Sequence, residues 1–196
     1  MLHLHLRDLN PAVVAAWELA FAGAEGVYLS GGEIFDASAD AIISPANSFG
    51  YMDGGIDLVY SKFFGPELQE SLQSLLQREH FGELPVGQAV IVRTGHAKIP
   101  LLVSAPTMRV PSNIARTANV YLAFRAALAA VLAHNENAEP PITRVLVPGL
   151  GTGVGEVPPA RAAKQMRLAY DAVIHRKLAR PRNFGQILGE HQDLLA

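Results

Sequence analysis

With 196 residues, 49% of them apolar, and a formal charge of −2, the chain is long enough for a single α/β domain over 1–196 with a full core, and short for two. That charge offers no broad attraction to nucleic acid or anionic membrane, and no apolar stretch reaches the roughly 18 residues a bilayer requires, so neither a polynucleotide nor a membrane is expected as partner. The absence of cysteine excludes disulfides, thiolate catalysis and Cys-ligated zinc or iron–sulfur clusters.

The start, MLHLHLRDLN, lacks the basic-then-apolar layout of a secretory signal, and the cytoplasm is the expected location. Leu2 to Leu6 alternates like an edge strand, with His3 and His5 on one solvated face. Asn10-Pro11 then supplies a cap and first-turn proline for a helix with Val13, Trp17, Ala20 and Phe21 on one side. Gly26 to Leu29 and Ala41 to Ser44 read as strands separated by the turn-rich GGEIFDASAD. A short helix follows Asp57 and stops near Gly65, and Pro66 opens another with Leu68, Leu72, Leu75 and Leu76 aligned. Ala89 to Arg93 and Leu101 to Ser104 read as sheet strands, and Thr117 to His134 as a helix with Val120, Phe124, Leu128, Val131 and Leu132 at helical spacing. After the polar insert NENAEPPIT come a strand, RVLV, and a helix carrying Ala162, Met166, Ala169 and Val173. The tail over 179–196 has no strong period and reads either as a terminal helix or as partly disordered. Strands interleaved with helices predict an α/β fold, helices on both faces of a mixed or largely parallel sheet. The seven histidines are scattered, and two on one strand are too few for a site, so no metal is assigned.

Two loops carry the candidate chemistry. PGLGTGVGEVPP follows the strand RVLV, and glycines at Gly149, Gly151, Gly153 and Gly155 let successive amides converge on phosphate oxygens, with the positive end of the next helix behind them. The plain alternative is a tight strand-to-helix turn. A Rossmann site would need a further strand ending in a ribose-reading acid, which does not follow here, and no GxxxxGK[ST] run is present. The other loop, DAIISPANSFGYMDGGID, offers Asn47 to a sugar hydroxyl, close approach at Gly54 and Gly55, and the acids Asp53 and Asp57. Asp57 serves either as a base or as a favourable charge in a first helical turn. An acid roughly 8 Å from a bound diphosphate costs about 2 kcal/mol at an effective dielectric near 20. Arg109 either faces the cleft to offset these acids or pairs with a carboxylate.

Together, GGEIFDASADAIISPANSFGYMDGGID and VLVPGLGTGVG resemble the macrodomain family of ADP-ribose-binding modules, over about Gly31 to Tyr170. The resemblance implies a three-layer α/β/α sandwich with a mixed central sheet and ADP-ribose in a cleft at the strand ends. It implies that Glu33 takes the place of the acid reading the adenine amino group, with the Ile34 amide beside it. Asn47 falls near the distal ribose, and Gly54, Gly55 and Ile56 wrap that ribose and the diphosphate. Gly151, Thr152, Gly153 and Val154 form the phosphate loop, flanked by Gly149 and Gly155, and Asp57 falls on the aspartate assigned to catalysis. The chain departs from the family in having Glu33 for the usual aspartate, Asp53 for a glycine, no aromatic after Val154 and no evident final strand. Phe49, Tyr51 and Phe184 are the candidates to stack on adenine. The expected activity is hydrolysis of an ADP-ribosyl ester or small ADP-ribose derivative without metal or cofactor, with Asp57 and Asn47 catalytic. The alternatives are a non-catalytic reader of ADP-ribose or a related nucleotide, and a structural or assembly protein with a degenerate cleft.

Overall fold

The alternation of strand and helix periods resolves, in a computed structural model that describes residues 1–177 and 180–196, into a six-stranded sheet layered between helices. The strands are β1 (His3–Asp8), β2 (Val27–Gly31), β3 (Ala41–Ser44), β4 (Val90–Arg93), β5 (Leu101–Ser104) and β6 (Arg144–Val147), in the order β2-β1-β6-β3-β5-β4. All neighbours run parallel except β4, which is antiparallel to β5. The helices are α1 (Pro11–Ala20), α2 (Gly55–Phe64), α3 (Glu67–Glu79), α4 (Asn119–Asn135), α5 (Pro159–Val173) and α6 (Phe184–Leu195). This is the mixed three-layer sandwich expected from the sequence.

Side chains alternate across a strand, so each buried strand feeds two cores. Ala41 and Ile43, Val103, and Val145 and Val147 pack with Trp17 of α1, Phe124 and Leu128 of α4, and Met166 of α5. Ile42, Leu102 and Leu146 point the other way, onto Tyr60 of α2 and Leu68, Leu72 and Leu76 of α3. Because both faces are covered, β3 is buried at every position, which is why its sequence is a continuous apolar run rather than an alternating one. Asp40, at the foot of β3, accepts from the amides of Thr143 and Arg144 at 2.7 and 2.8 Å and from the Thr143 hydroxyl at 2.8 Å, holding β6 in register beside it.

One expectation changes. The first strand is not an edge: β1 pairs with β2 on one side and β6 on the other, and the edges are β2 and β4. Its alternation has another cause, since Leu4 and Leu6 face the core with α1, α4 and α5, while His3 and His5 lie against Tyr28 of β2 on the opposite, partly open face. The tail is helical over α6, capped by the Asn183 side chain, which accepts from the Gln186 amide at 3.1 Å. Residue 179, the expected start of the tail, lies outside the described residues. The predicted cap at Asn10 is present, its carboxamide accepting from Ala12 N at 2.9 Å.

Candidate functional site

The two loops singled out in the sequence leave the carboxyl ends of β3 and β6, which are adjacent parallel strands. Both loops therefore rise on the same side of the sheet, the position where open α/β sheets hold their ligands. Between them lies a cavity of about 350 Å³ walled by Asn47, Tyr51, Asp53, Gly54, Gly55, Ile56 and Asp57 from the first loop and by Gly149 and Gly151 to Gly155 from the second. Thr107, Met108 and Pro111, following β5, complete the wall. Glu33 and Ile34 line an adjoining cavity of about 230 Å³ with Leu9 and Val59, and Asp8, Gly55 and Ile56 belong to both.

Main-chain donors converge on the larger cavity. Among the described residues, the amides of Gly151, Thr152, Gly153, Val154 and Gly155 donate to no main-chain acceptor. Those of Gly55, Ile56 and Asp57 open α2, where the first-turn N–H groups have no intrahelical partner. The helix dipole at the cavity is thus that of α2, whereas the sequence pointed to the helix after the second loop; no residue of α5 lines the wall. Gly149 is corrected as well: its amide donates to Asp8 Oδ2 at 3.0 Å and is already committed.

The glycines divide by what a side chain would meet. At Gly151, with φ of 71°, and at Gly155 a Cβ would collide with Val120 and with Ile114, so these two are glycine because the loop packs on the core. At Gly54 and Gly153 a Cβ would meet nothing within 4 Å and φ is ordinary, so nothing in the fold itself requires glycine there. Open space on the cavity wall is what a closely approaching ligand needs.

Asp57 is the third residue of α2 and is only 6% exposed. Its Oδ1 accepts from the Ser44 hydroxyl at 2.5 Å, and no protein donor reaches Oδ2 among the described residues. Burial pushes the carboxyl up to about 6, against which the Ser44 hydrogen bond acts. Asn47 differs from the expectation of a carboxamide free for a sugar hydroxyl. Its Nδ2 donates to the Tyr51 carbonyl at 2.7 Å, and its Oδ1 accepts from the amides of Phe49 and Tyr51 at 3.1 and 3.3 Å. The side chain holds the shape of its own loop, with one Nδ2 hydrogen left outside these bonds.

Arg109 pairs with Glu83 through two contacts at 2.7 and 3.0 Å and lies 5.0 Å over the Phe49 ring, outside the cavity wall. Of the three aromatics considered for stacking, Tyr51 lines the larger cavity, while Phe49 borders a separate groove and Phe184 is 70% exposed on α6. Asp8 and Asn10 were missed as wall residues. The signal was present, since they follow the carboxyl end of an apolar strand, but taking β1 for an edge moved that strand end away from the loops. No group of three or more His, Cys, Asp or Glu among the described residues is placed to hold a metal ion.

Comparison with known proteins agrees with this architecture. The Macro domain family matches residues 43–166, and the chain belongs to that family. An uncharacterised protein of Aquifex aeolicus is 38% identical over 136 residues, covering 69% of this chain and 74% of the relative. The O-acetyl-ADP-ribose deacetylase of Escherichia fergusonii is 34% identical over 70 residues, 36% of this chain and 38% of that enzyme. The Oceanobacillus iheyensis macrodomain superposes with a TM-score of 0.58 at 20% identity, over 70% of this chain and 73% of its own. That protein has been solved as a Gly-to-Val mutant with ADP-ribose, and as Asn-to-Ala and Asp-to-Ala mutants. No helix among the described residues is long and apolar enough to cross a membrane.

Proposed function

We propose that this cavity binds ADP-ribose and that the protein hydrolyses an ADP-ribosyl ester or a small ADP-ribose derivative. The observation that carries the reading is the convergence of unspent amides from two loops on one cavity whose inner wall holds the buried Asp57. Charge-assisted hydrogen bonds from such amides are worth roughly 1.5–3 kcal/mol each, enough to hold a diphosphate with no Lys or Arg on that wall. The adjoining cavity receives the base between Leu9, Ile56 and Val59, with Glu33 and the Ile34 amide at its rim. Gly54, Gly55 and Ile56 wrap the distal ribose and diphosphate, Thr152, Gly153 and Val154 close over the phosphates, and Asn47 keeps its loop shaped to the distal sugar.

Asp57 then orients or deprotonates a water for attack at the ester or anomeric carbon of the distal ribose. A carboxyl near 6 is largely ionised at neutral pH and more basic than an ordinary aspartate, which suits a general base. Support comes from the solved mutants of the Oceanobacillus iheyensis macrodomain, whose altered Asn, Gly and Asp have the same spacing along their chain as Asn47, Gly54 and Asp57. The deacetylase relative supports an O-acyl ester as substrate class. The test is release of acetate from O-acetyl-ADP-ribose by wild type and Asp57→Ala: the variant is expected to lose about 100-fold or more in rate, the lower range for removing a general base. Equal rates would remove Asp57 from the mechanism.

A second reading, a reader of ADP-ribose without turnover, is favoured by two observations. The Asn47 carboxamide is spent on its own loop, and little of Asp57 reaches the cavity. Binding of ADP-ribose with no product from the acetylated ligand over long incubation selects it.

A further inference from the structure

The smaller cavity has no aromatic ring on which a base could stack. None of the three aromatics considered for that role borders it, and among the described residues its wall is made of aliphatic side chains, glycines, the acids Asp8 and Glu33, and Arg7. The guanidinium of Arg7 is the one extended planar cation on that wall. The fold holds this plane still. Arg7 lies opposite Ser30 in the register of β1 and β2. Its Nη1 donates to Ser30 Oγ at 2.9 Å, its Nε to the Glu33 carbonyl at 2.7 Å, and its Nη2 to Asp36 Oδ2 at 3.2 Å. Three of the five N–H groups, all in the plane of the guanidinium, are thus spent on β2 and the turn that follows it. Gly32 makes the fit possible: its φ is 121°, and a Cβ there would stand 2.5 Å from Nη2 and 3.2 Å from Cζ of Arg7. The Arg7 side chain is 20% exposed and its carboxylate partner Asp36 is 67% exposed, so the ion pair is screened and most of the guanidinium rests against neutral oxygens. A fixed, partly buried guanidinium whose edge is largely committed offers a ligand its face.

We propose that Arg7 determines base recognition in the smaller cavity: its guanidinium lies against one face of the adenine, and its bond to the Glu33 carbonyl keeps Glu33 and Ile34 at the edge of the same base. This rests on the reading that the smaller cavity takes the base of ADP-ribose. The face of a nucleobase is a π surface, and a flat delocalised cation stacks on it where a lysine would supply the charge without the plane. Leu9, Ile56 and Val59 make the rest of the slot apolar, which suits a base and strengthens a cation–π contact by excluding water from it. One side chain from β1 thereby joins the turn after β2 to the ligand.

Calorimetry of the full chain with ADP-ribose and with ribose 5-diphosphate, which keeps the diphosphate and the distal sugar but lacks the adenosine, tests the assignment. Arg7→Met and Arg7→Lys should each weaken ADP-ribose by about tenfold and leave ribose 5-diphosphate within about twofold of wild type. Ser30→Ala, which keeps Arg7 but releases its Nη1, should weaken ADP-ribose by about threefold, so the held plane is tested even where an Arg7 variant folds poorly. Equal losses on both ligands in folded Arg7 variants would make Arg7 a residue that only holds the fold, and would overturn the proposal. A lysine variant that binds ADP-ribose like wild type overturns it too, since charge without the plane would then suffice, as does a Ser30→Ala variant of unchanged affinity. In those cases wild type still binds ADP-ribose and the reading of the cavity stands, whereas a wild type that does not bind ADP-ribose overturns both.

Discussion

Asp57 is ionisable, almost fully buried and held by one hydroxyl, and that combination has a cost. With its folded-state pKa near 6 against an ordinary 3.8, the native state binds the proton more tightly than the unfolded chain. The contribution of Asp57 to stability is therefore greatest below about pH 4 and falls as pH rises through the window between about 4 and 6, by roughly 3 kcal/mol at pH 7. Asp57→Asn removes the buried charge and can still accept from Ser44. It is expected to be more stable than wild type by about 1–3 kcal/mol in urea unfolding at pH 7 and equal to it near pH 4. A variant less stable at pH 7 would show that the Ser44 bond outweighs burial. Turnover that depends on the ionised carboxylate should fall below about pH 6, in the same range where protonation of Asp57 relieves its burial cost. The identity of Asp57 as a candidate was readable from its place after paired glycines at a helix start. Its pKa was not, because the upward shift comes from burial in the core around Tyr60, opposed by the Ser44 hydrogen bond, and both groups lie elsewhere in the chain.

At the scale of elements, the first loop is shaped by the helix beneath it. Gly50 lies so close to α3 that a Cβ there would stand 3.0 Å from Leu72 Cγ and 3.4 Å from a Leu76 methyl. The extended chain beyond β3 also bonds to the segment after β5, with Thr107 N donating to Ala46 O at 3.0 Å and Ser48 N to Arg109 O at 3.1 Å. Leu72 is 1% exposed, and its truncation to Ala is expected to cost about 2–5 kcal/mol and, by undermining the loop that carries Asn47 to Gly55, to weaken ADP-ribose binding as well. Chemical denaturation and calorimetry on the same variant measure the two effects; a stability loss with unchanged affinity would mean that the loop holds its shape without α3. The leucine stripe that forms α3 was legible from its spacing, as were the strands that are apolar throughout. The contact between Leu72 and Gly50 was not, since residues on separate elements meet only once the chain has packed.

For the whole molecule, ligand binding should register as stability. ADP-ribose at about 100 times its dissociation constant contributes roughly 2.7 kcal/mol, which for a chain of this size raises the melting temperature by about 5–10 °C. Gly153→Val, which adds a side chain into open space on the cavity wall, is expected to leave the melting temperature of the free protein unchanged and to abolish the shift. A full shift in the valine variant would remove Gly153 from the ligand contact surface.

Local pattern alone determined most of the elements of this protein: strands from apolar runs, helices from spaced leucines and alanines, caps and stops from Asn10, Gly65 and Pro66, and two glycine loops in the order found in macrodomains. Only the tertiary structure decided that β1 lies inside the sheet, that Asp8 reaches Gly149, and that the dipole at the cavity belongs to α2. The division has a physical cause. Periodicity and turn chemistry act between residues a few positions apart, whereas the order of strands, and with it which loops share a cavity, depends on pairings between segments as distant as β1 and β6, which no short window of sequence contains.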